Sequence, residues 1–178
     1  MGEIHCCAVF GHHPMRFTWG FDEEAEGCRA LKMELLQQIM VLRQQGVTQF
    51  AVVADCGIGL YAGEMLNVLR ENDKKLQLFC VTPHEEQATK WAPYLRERYF
   101  DLLIKCTRME AVSLHWAPNC EDEAYRRVID YADIAFAVYD AASARGDTID
   151  RAVGYAEAQN KPLSILHPDT LELSCNKF

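Results

Sequence analysis

Apolar residues along this chain form short runs that alternate with stretches of helical spacing. The runs are bounded by glycine or polar residues, a pattern typical of buried β-strands. They occupy residues 4–10, about 50–54, 76–82, 134–139 and 163–166, with a weaker candidate near 109–114. Between them, apolar side chains recur as one buried helix face requires, at Leu31, Leu35, Ile39 and Leu42, at Ala62, Met65, Leu66 and Leu69, and at Ala152, Tyr155 and Ala156.

This alternation predicts an α/β fold. Strands joined by helices of this length run mostly parallel, because a right-handed crossover returns the chain to the same end of the sheet. No proline-rich, serine-rich or repeated stretch is long enough to act as a linker. We therefore expect a single Rossmann-like doubly wound domain over residues 1–178, with a mostly parallel sheet of five or six strands.

Composition narrows the classes of partner. The net charge of −8 opposes nucleic acid as a ligand, because contact with a phosphate backbone depends on clustered Lys and Arg. The eight cysteines contain no C-x-x-C pair, so neither a disulfide framework nor a metal site is predicted. The first residues lack the features of a signal peptide, and no apolar run approaches the ~18 residues of a membrane span. These features predict a cytoplasmic, reduced protein that does not enter a membrane.

Three turns carry the candidate chemistry. Each follows a predicted strand and precedes a helical segment: Gly11-His12-His13-Pro14, Cys56-Gly57-Ile58-Gly59 and Arg145-Gly146-Asp147-Thr148. The carboxyl ends of parallel strands meet at one edge of a sheet, so we expect the three turns to border one crevice. Such a crevice suits a nucleotide or another phosphorylated small molecule.

The first two turns differ in what they offer a ligand. His12, His13 and nearby Arg16 can supply hydrogen bonds or positive charge to ribose or phosphate. The alternative is that one histidine caps the turn and the other is exposed to solvent. The helix after Gly57 and Gly59 has Glu64 as its first acidic residue, so its N-terminal N–H groups are predicted to be free for an anion. The alternative is that both glycines serve only a tight turn and close packing.

A second helix end has the opposite character. Residues 119–123 read Asn-Cys-Glu-Asp-Glu, which places three acidic side chains in one first turn. These carboxylates neutralise the positive end of the helix dipole and repel phosphate.

Several collinear motifs resemble one family. The segment from Gly11 to Asp22 is similar to a G-H-R-P…G-Y-D opening, and Val81-Thr82-Pro83 with Gln87 and Trp91 is similar to an I-P…Q…W segment. The stretch from Tyr131 to Asp140, followed by Gly146-Asp147-Thr148 and Lys161-Pro162, resembles an S-D-L-L-I-A-V-Y-D…G-G-T…K-P ending. The resemblance is to the YpsA-like branch of the SLOG superfamily, the Rossmann-like group that includes DprA and the LOG nucleotide hydrolases.

This resemblance implies a small cytoplasmic domain that binds a nucleotide or an ADP-ribose-like derivative. The chain departs from the branch pattern at the presumed crevice, where His13 replaces an arginine, Gly59 an acidic residue and Asp147 a glycine. We therefore expect a ligand that differs from the usual one of the branch, or a weakened site. The predicted ligand-binding residues are Gly11, His12, His13, Arg16, Cys56, Gly57, Gly59, Pro83, Gln87, Trp91, Asp140, Gly146, Asp147 and Thr148.

Two other functions stay open at this point. One is hydrolysis or transfer at an N-glycosidic bond, for which Asp140 and Glu64 are the candidate carboxylates, because Ala152 stands where related transferases carry a nucleophilic glutamate. The other is a protein-interaction module with a vestigial crevice. Cys56 is either a nucleophile or a structural thiol. Trp91 either stacks on a base or belongs to the core. Pairing into a homo-oligomer is expected only by analogy with other Rossmann-like domains.

Overall fold

The computed structural model describes residues 4–176, so residues 1–3 and 177–178 of the predicted domain lie outside the described range. Strands and helices alternate along this part of the chain, as the hydrophobic pattern predicts. The strands are β1 Cys6–Gly11, β2 Gln49–Val53, β3 Gln77–His84, β4 Arg108–Ser113, β5 Ile134–Val138, β6 Leu163–Leu166 and β7 Leu173–Asn176. The helices are α1 Glu26–Gln44, α2 Ile58–Asn72, α3 Pro93–Lys105, α4 Cys120–Tyr131 and α5 Thr148–Ala158.

The strands form one doubly wound sheet in the order β4-β3-β2-β1-β5-β6-β7. All neighbouring pairs are parallel except β6 and β7, which are antiparallel. The chain winds outward from β1 in both directions, so the order reverses between β1 and β5. At such a switch point the loops that leave the two strands diverge and open a crevice at the carboxyl ends.

The Rossmann-like α/β fold is thus confirmed, but the strand number was wrong: the described residues form seven strands, not five or six. The weak candidate near 109–114 is a real strand, β4. The strand that the sequence missed is β7, whose four residues are all exposed. An exposed edge strand buries no side chain, and so it leaves no alternation of apolar and polar residues to detect.

Helices cover both faces of the sheet. Alternate strand residues point to opposite faces, so Val9 joins a core with α1, α2 and α3, whereas Ala8 joins a core with α4 and α5. Burial on both faces explains why the inner strands are almost continuously apolar. No helix among the described residues is long and apolar enough to cross a membrane.

Candidate functional site

A cleft of about 380 Å³ opens at the carboxyl ends of β1, β2, β3 and β5, beside the switch point. Its wall is formed by the ends of β2 and β3, four loops, and the N-terminal parts of α4 and α5. It is lined by His13, Val53, Asp55, Cys56, Pro83, His84, Gln87, Trp91, Glu121, Tyr125, Arg145, Asp147, Thr148 and Ile149. The predicted meeting of separate loop tips around one crevice is therefore present.

Half of the predicted ligand-binding residues line this cleft: His13, Cys56, Pro83, Gln87, Trp91, Asp147 and Thr148. The other seven are not part of the lining: Gly11, His12, Arg16, Gly57, Gly59, Asp140 and Gly146. The lining residues absent from the predicted ligand-binding set are Val53, Asp55, His84, Glu121, Tyr125, Arg145 and Ile149, of which Arg145 belongs to the third predicted turn. Asp55 had a usable signal, because it stands three residues before the start of α2, near enough for its carboxylate to accept the unpaired N–H groups of that helix end.

The carboxylate of Asp55 occupies the N-terminus of α2. Its Oδ1 accepts the backbone N–H groups of Gly57 at 2.8 Å and Gly59 at 3.0 Å, and its Oδ2 accepts the hydroxyl of Tyr125 at 2.8 Å. Burial raises the pKa of Asp55, and these hydrogen bonds offset only part of that rise. The prediction that the amides of Gly57 and Gly59 are free for an anion is wrong, because the protein's own carboxylate fills that position.

The glycines near the cleft allow close approach of the backbone. A Cβ on Gly59 would lie 1.8 Å from the carbonyl oxygen of Val53, and one on Gly57 would lie 2.8 Å from Pro14 Cδ. A Cβ on Gly11 would meet the Val138 carbonyl oxygen at 2.7 Å. The alternative interpretation, close packing, thus accounts for both glycines of the turn: Gly59 lies against β2 and Gly57 against the loop after β1.

A second cluster of amides, in the loop after β5, is also filled from within. Asp150 Oδ2 accepts the N–H groups of Arg145 at 2.7 Å, Gly146 at 2.5 Å and Asp147 at 3.0 Å. Gly146 has φ +79°, which a residue with a side chain rarely adopts. Burial alone would raise the pKa of Asp150, but these N–H groups outweigh it and lower the pKa to about 2. The carboxylate is therefore ionised at neutral pH.

Arg16 joins the first loop to the loop after β5. One guanidinium nitrogen pairs with the Asp147 carboxylate, and the other donates to the carbonyl oxygen of Ser143 at 2.7 Å and to its hydroxyl at 3.0 Å. The Arg16 side chain is only 3% exposed. Asp147 already neutralises the charge of Arg16. For Arg16 to contact ribose or phosphate, as predicted, these bonds would first have to break.

His12 has a similar structural role. Its Nε2 accepts the backbone N–H of Asp140 at 2.9 Å, and the residue is 1% exposed. Burial, with the nearby Arg16 guanidinium, lowers the pKa of His12 to about 4. The ring is therefore neutral at physiological pH and carries its proton on Nδ1.

Neither candidate carboxylate for N-glycosidic cleavage lies in the cleft. The Asp140 carboxylate accepts the N–H of Ala142 at 2.9 Å and lies 3.5 Å from His167 Nε2. Glu64 forms a two-point ion pair with Arg98 on the helical surface, at 2.7 and 2.8 Å. Both groups have structural partners where the sequence suggested catalysis.

His13 and Cys56 face each other across the cleft wall. His13 Nε2 lies 3.2 Å from Cys56 Sγ, and His13 Nδ1 accepts the N–H of Met15 at 3.2 Å. Because Nδ1 is an acceptor, the neutral ring carries its proton on Nε2 and donates it toward the sulfur. Burial, with the charge of Asp55, raises the pKa of Cys56 to about 12. Burial therefore keeps the thiol protonated near neutral pH, and His13 in this tautomer offers it no general base.

The charges at the cleft are mainly negative. The lining contains the carboxyl groups of Asp55, Glu121 and Asp147. Among the described lining residues, Arg145 supplies the guanidinium group, and its Nε lies 3.7 Å from Asp147 Oδ2. Thr148 donates its hydroxyl to Glu121 at 3.3 Å. Within residues 4–176, no three His, Cys, Asp or Glu side chains are grouped as metal ligands. The cleft therefore presents carboxylate acceptors.

One side of the cleft is formed by the segment that follows β3. Gln87 donates its amide to the carbonyl oxygen of Ala54 at 2.6 Å, which fixes this segment to the end of β2. The ring of Trp91 packs edge-on against Tyr99, with centroids 5.2 Å apart, and still contributes to the lining. Both interpretations of Trp91 hold in part, since the ring borders the core and the cleft.

Comparison with known proteins supports the resemblance seen in the motifs. The chain is 31% identical over 93 residues to a UPF0398 protein of Halalkalibacterium halodurans, across 52% of this chain and 49% of that relative. It is 25% identical over 136 residues to a UPF0398 protein of Bacillus pumilus, across 75% of this chain and 72% of the relative. The chain thus matches only about half the length of the first relative. The sequence model described as the YspA SLOG family matches residues 7–171. Since that match covers nearly all of the fold and its cleft, the chain belongs to the YspA SLOG family.

Proposed function

We propose that this protein is a cytoplasmic binding protein whose cleft takes a nucleotide-derived small molecule. The observation that carries the proposal is the cleft itself: about 380 Å³, beside the switch point of a doubly wound sheet. That is where open parallel sheets bind nucleotides, and the volume falls in the range of small-molecule sites. Trp91 and Tyr125 add aromatic surface to the lining.

Two further features support this class of ligand and location. The net charge of −8 and the carboxylates at the cleft oppose nucleic acid, so the partner in this proposal is a small molecule. All eight cysteines are free thiols, which fits the reducing conditions of the cytoplasm. Pairing into a homo-oligomer remains a proposal by analogy with other Rossmann-like domains.

Binding is tested by thermal unfolding of the purified protein with a panel of nucleosides, nucleotides and ADP-ribose. A ligand that binds only the folded state raises the melting temperature with its concentration. Glu121→Trp is the blocking variant, because Glu121 is exposed and lines the cleft, so the indole fills the space without entering the core. It should abolish the rise, whereas Glu97→Trp, on an exposed site of α3 outside the cleft, should retain it.

The same samples address the other two functions. An N-glycosidase releases free base from the bound compound, whereas a binding protein leaves it intact. No shift across the whole panel would refute the binding proposal and favour a module that acts through its surface. The open cleft argues against a protein-interaction module with a vestigial crevice, since such a crevice would be occluded.

A further inference from the structure

The two groups of backbone amides that border the cleft are both closed to an incoming anion. The N-terminus of α2 holds Asp55, and the amides of residues 145–147 hold Asp150. Free amides in these positions form the usual seat for a phosphate group, since several N–H groups converge there. In this chain a phosphate would have to displace a carboxylate that is covalently part of the protein.

The basic groups beside the cleft are likewise engaged. Arg16 is buried and paired with Asp147, and Arg145, although 62% exposed, has Nε 3.7 Å from the same carboxylate. His12 is buried and neutral. A phosphorylated ligand therefore finds Arg145 as the accessible guanidinium of the described lining, and it faces the charge of Glu121.

The same acceptors suit a ligand rich in hydrogen-bond donors. Glu121 is exposed at the lining, and its carboxylate can accept two hydroxyl groups in addition to the hydroxyl of Thr148, 3.3 Å away. Ribose hydroxyls and the exocyclic amines of a base are such donors. The half-buried ring of Trp91 offers a flat apolar surface to the base.

We propose that the cleft selects the unphosphorylated, nucleoside form of its ligand and discriminates against the 5′-phosphates. This inference rests on the proposed function and specifies its ligand class. It reverses the phosphate seat expected from the sequence, because the amides assigned to that seat are already bound. The determinants are Asp55 and Asp150, which fill the amide clusters, and Glu121, which supplies an acceptor and a repelling charge.

The test is isothermal titration of the full chain with adenosine, guanosine, cytidine, uridine, their 5′-mono- and diphosphates, and ADP-ribose. The expected result is that at least one nucleoside binds about tenfold or more tightly than its own phosphates, because each phosphate adds charge of the same sign as the lining. A phosphate that binds as tightly as its nucleoside would overturn this inference and leave the proposed function standing. No binding of any compound would overturn both.

Two variants assign the effect to residues. Glu121→Gln keeps the hydrogen-bonding shape and removes a charge at an exposed position, so the nucleoside preference should fall about threefold or more. Its matched control, Glu97→Gln on α3, should leave the preference unchanged. Asp55→Ser frees the amides of Gly57 and Gly59 and should give measurable binding of inorganic phosphate. If Asp55→Ser does not fold, Glu121→Gln decides alone: an unchanged preference in that variant would refute the role of the lining charge.

Discussion

The hydroxyl of Tyr125 donates a 2.8 Å hydrogen bond to Oδ2 of Asp55, across 70 positions of the chain. This bond joins α4 to the segment that precedes α2, at the lining of the cleft. Together with the N–H groups of Gly57 and Gly59, it surrounds a buried carboxylate with donors. These hydrogen bonds satisfy the buried carboxyl group and offset part of the rise in its pKa that burial causes.

Tyr125→Phe should therefore destabilise the protein by about 1–3 kcal/mol at neutral pH, the range for leaving a buried polar group unpaired. Because burial raises the pKa of Asp55, its protonated form is favoured in the fold, and the penalty should shrink as the pH falls and the carboxylate protonates. Urea unfolding of the parent protein and the variant, at neutral pH and at a lower pH, measures this penalty. In an Asp55→Asn background, Tyr125→Phe should cost less. An equal cost in both backgrounds would show that Tyr125 and Asp55 are not energetically coupled.

Gly59→Ala should destabilise far more than an ordinary helix substitution. The new Cβ would lie 1.8 Å from the Val53 carbonyl oxygen, so α2 must move away from β2, and we expect a loss of about 3 kcal/mol or more. Gly154→Ala on α5 is the matched control, because nothing lies within 4 Å of its Cβ position. There the gain in helix propensity should stabilise by about 0.5–1 kcal/mol. Equal effects in denaturant unfolding would contradict the packing role of Gly59.

The hydrophobic pattern was sufficient for the fold because most strands and helices bury one or two faces, and burial leaves a periodic trace in the sequence. It failed for β7, which is exposed throughout. The position of the cleft also followed from the pattern, since parallel strands end at one edge. Its chemistry did not, because the partners of Asp55 and Arg16 lie 70 and 131 positions away. Whether an amide is free or already bound is a property of the folded chain.

The acidic first turn of α4 illustrates the same limit. Residues 119–123 predicted a helix end that repels phosphate, but the sequence did not show that this end borders the cleft. The structure places Glu121 and Tyr125 of that helix in the lining. A correct local interpretation thus acquired its functional meaning only from the topology, which brings α4 beside β2 and β3.

The stability of the protein should depend on pH through His12. Its pKa is lowered from 6.5 to about 4, so the unfolded chain binds the proton more readily and stability falls as the pH drops from about 6.5 to about 4. The loss is at most about 3.5 kcal/mol, since one pKa unit corresponds to about 1.4 kcal/mol. Arg16 adds to the lowering, whereas Asp140, Asp147 and Asp150 oppose it.

A variant isolates this dependence from that of the carboxylates. His12→Gln retains an acceptor for the Asp140 N–H and removes the titrating group, so the slope of stability between those pH values should become shallower. His115→Gln, whose side chain in the parent protein is 69% exposed, should keep the slope of the wild type. An unchanged slope in His12→Gln would show that other groups dominate acid unfolding.

Arg16→Met should cost about 3–5 kcal/mol, because it leaves the Asp147 carboxylate without its buried partner and removes two hydrogen bonds to Ser143. Arg29→Met breaks a pair whose side chains are 64% and 81% exposed, and it should cost less than about 1 kcal/mol. Guanidinium unfolding compares the two. Similar small losses would show that Arg16 is dispensable for joining the loops and would make it available to a ligand.

Cys56 should be a slow nucleophile although it lines the cleft. Burial, with the charge of Asp55, raises its pKa to about 12, so near pH 8 roughly one molecule in ten thousand carries the thiolate. We expect iodoacetamide to modify Cys56 at least about a hundredfold more slowly than the exposed Cys175, as measured by peptide mass spectrometry over time. Asp55→Asn should speed the reaction of Cys56 by removing the nearby charge, with Cys175 as the internal reference. Faster modification of Cys56 than of Cys175 in the wild type would identify an activated thiol, and the paired His13 would then indicate a covalent reaction in the cleft instead of simple binding.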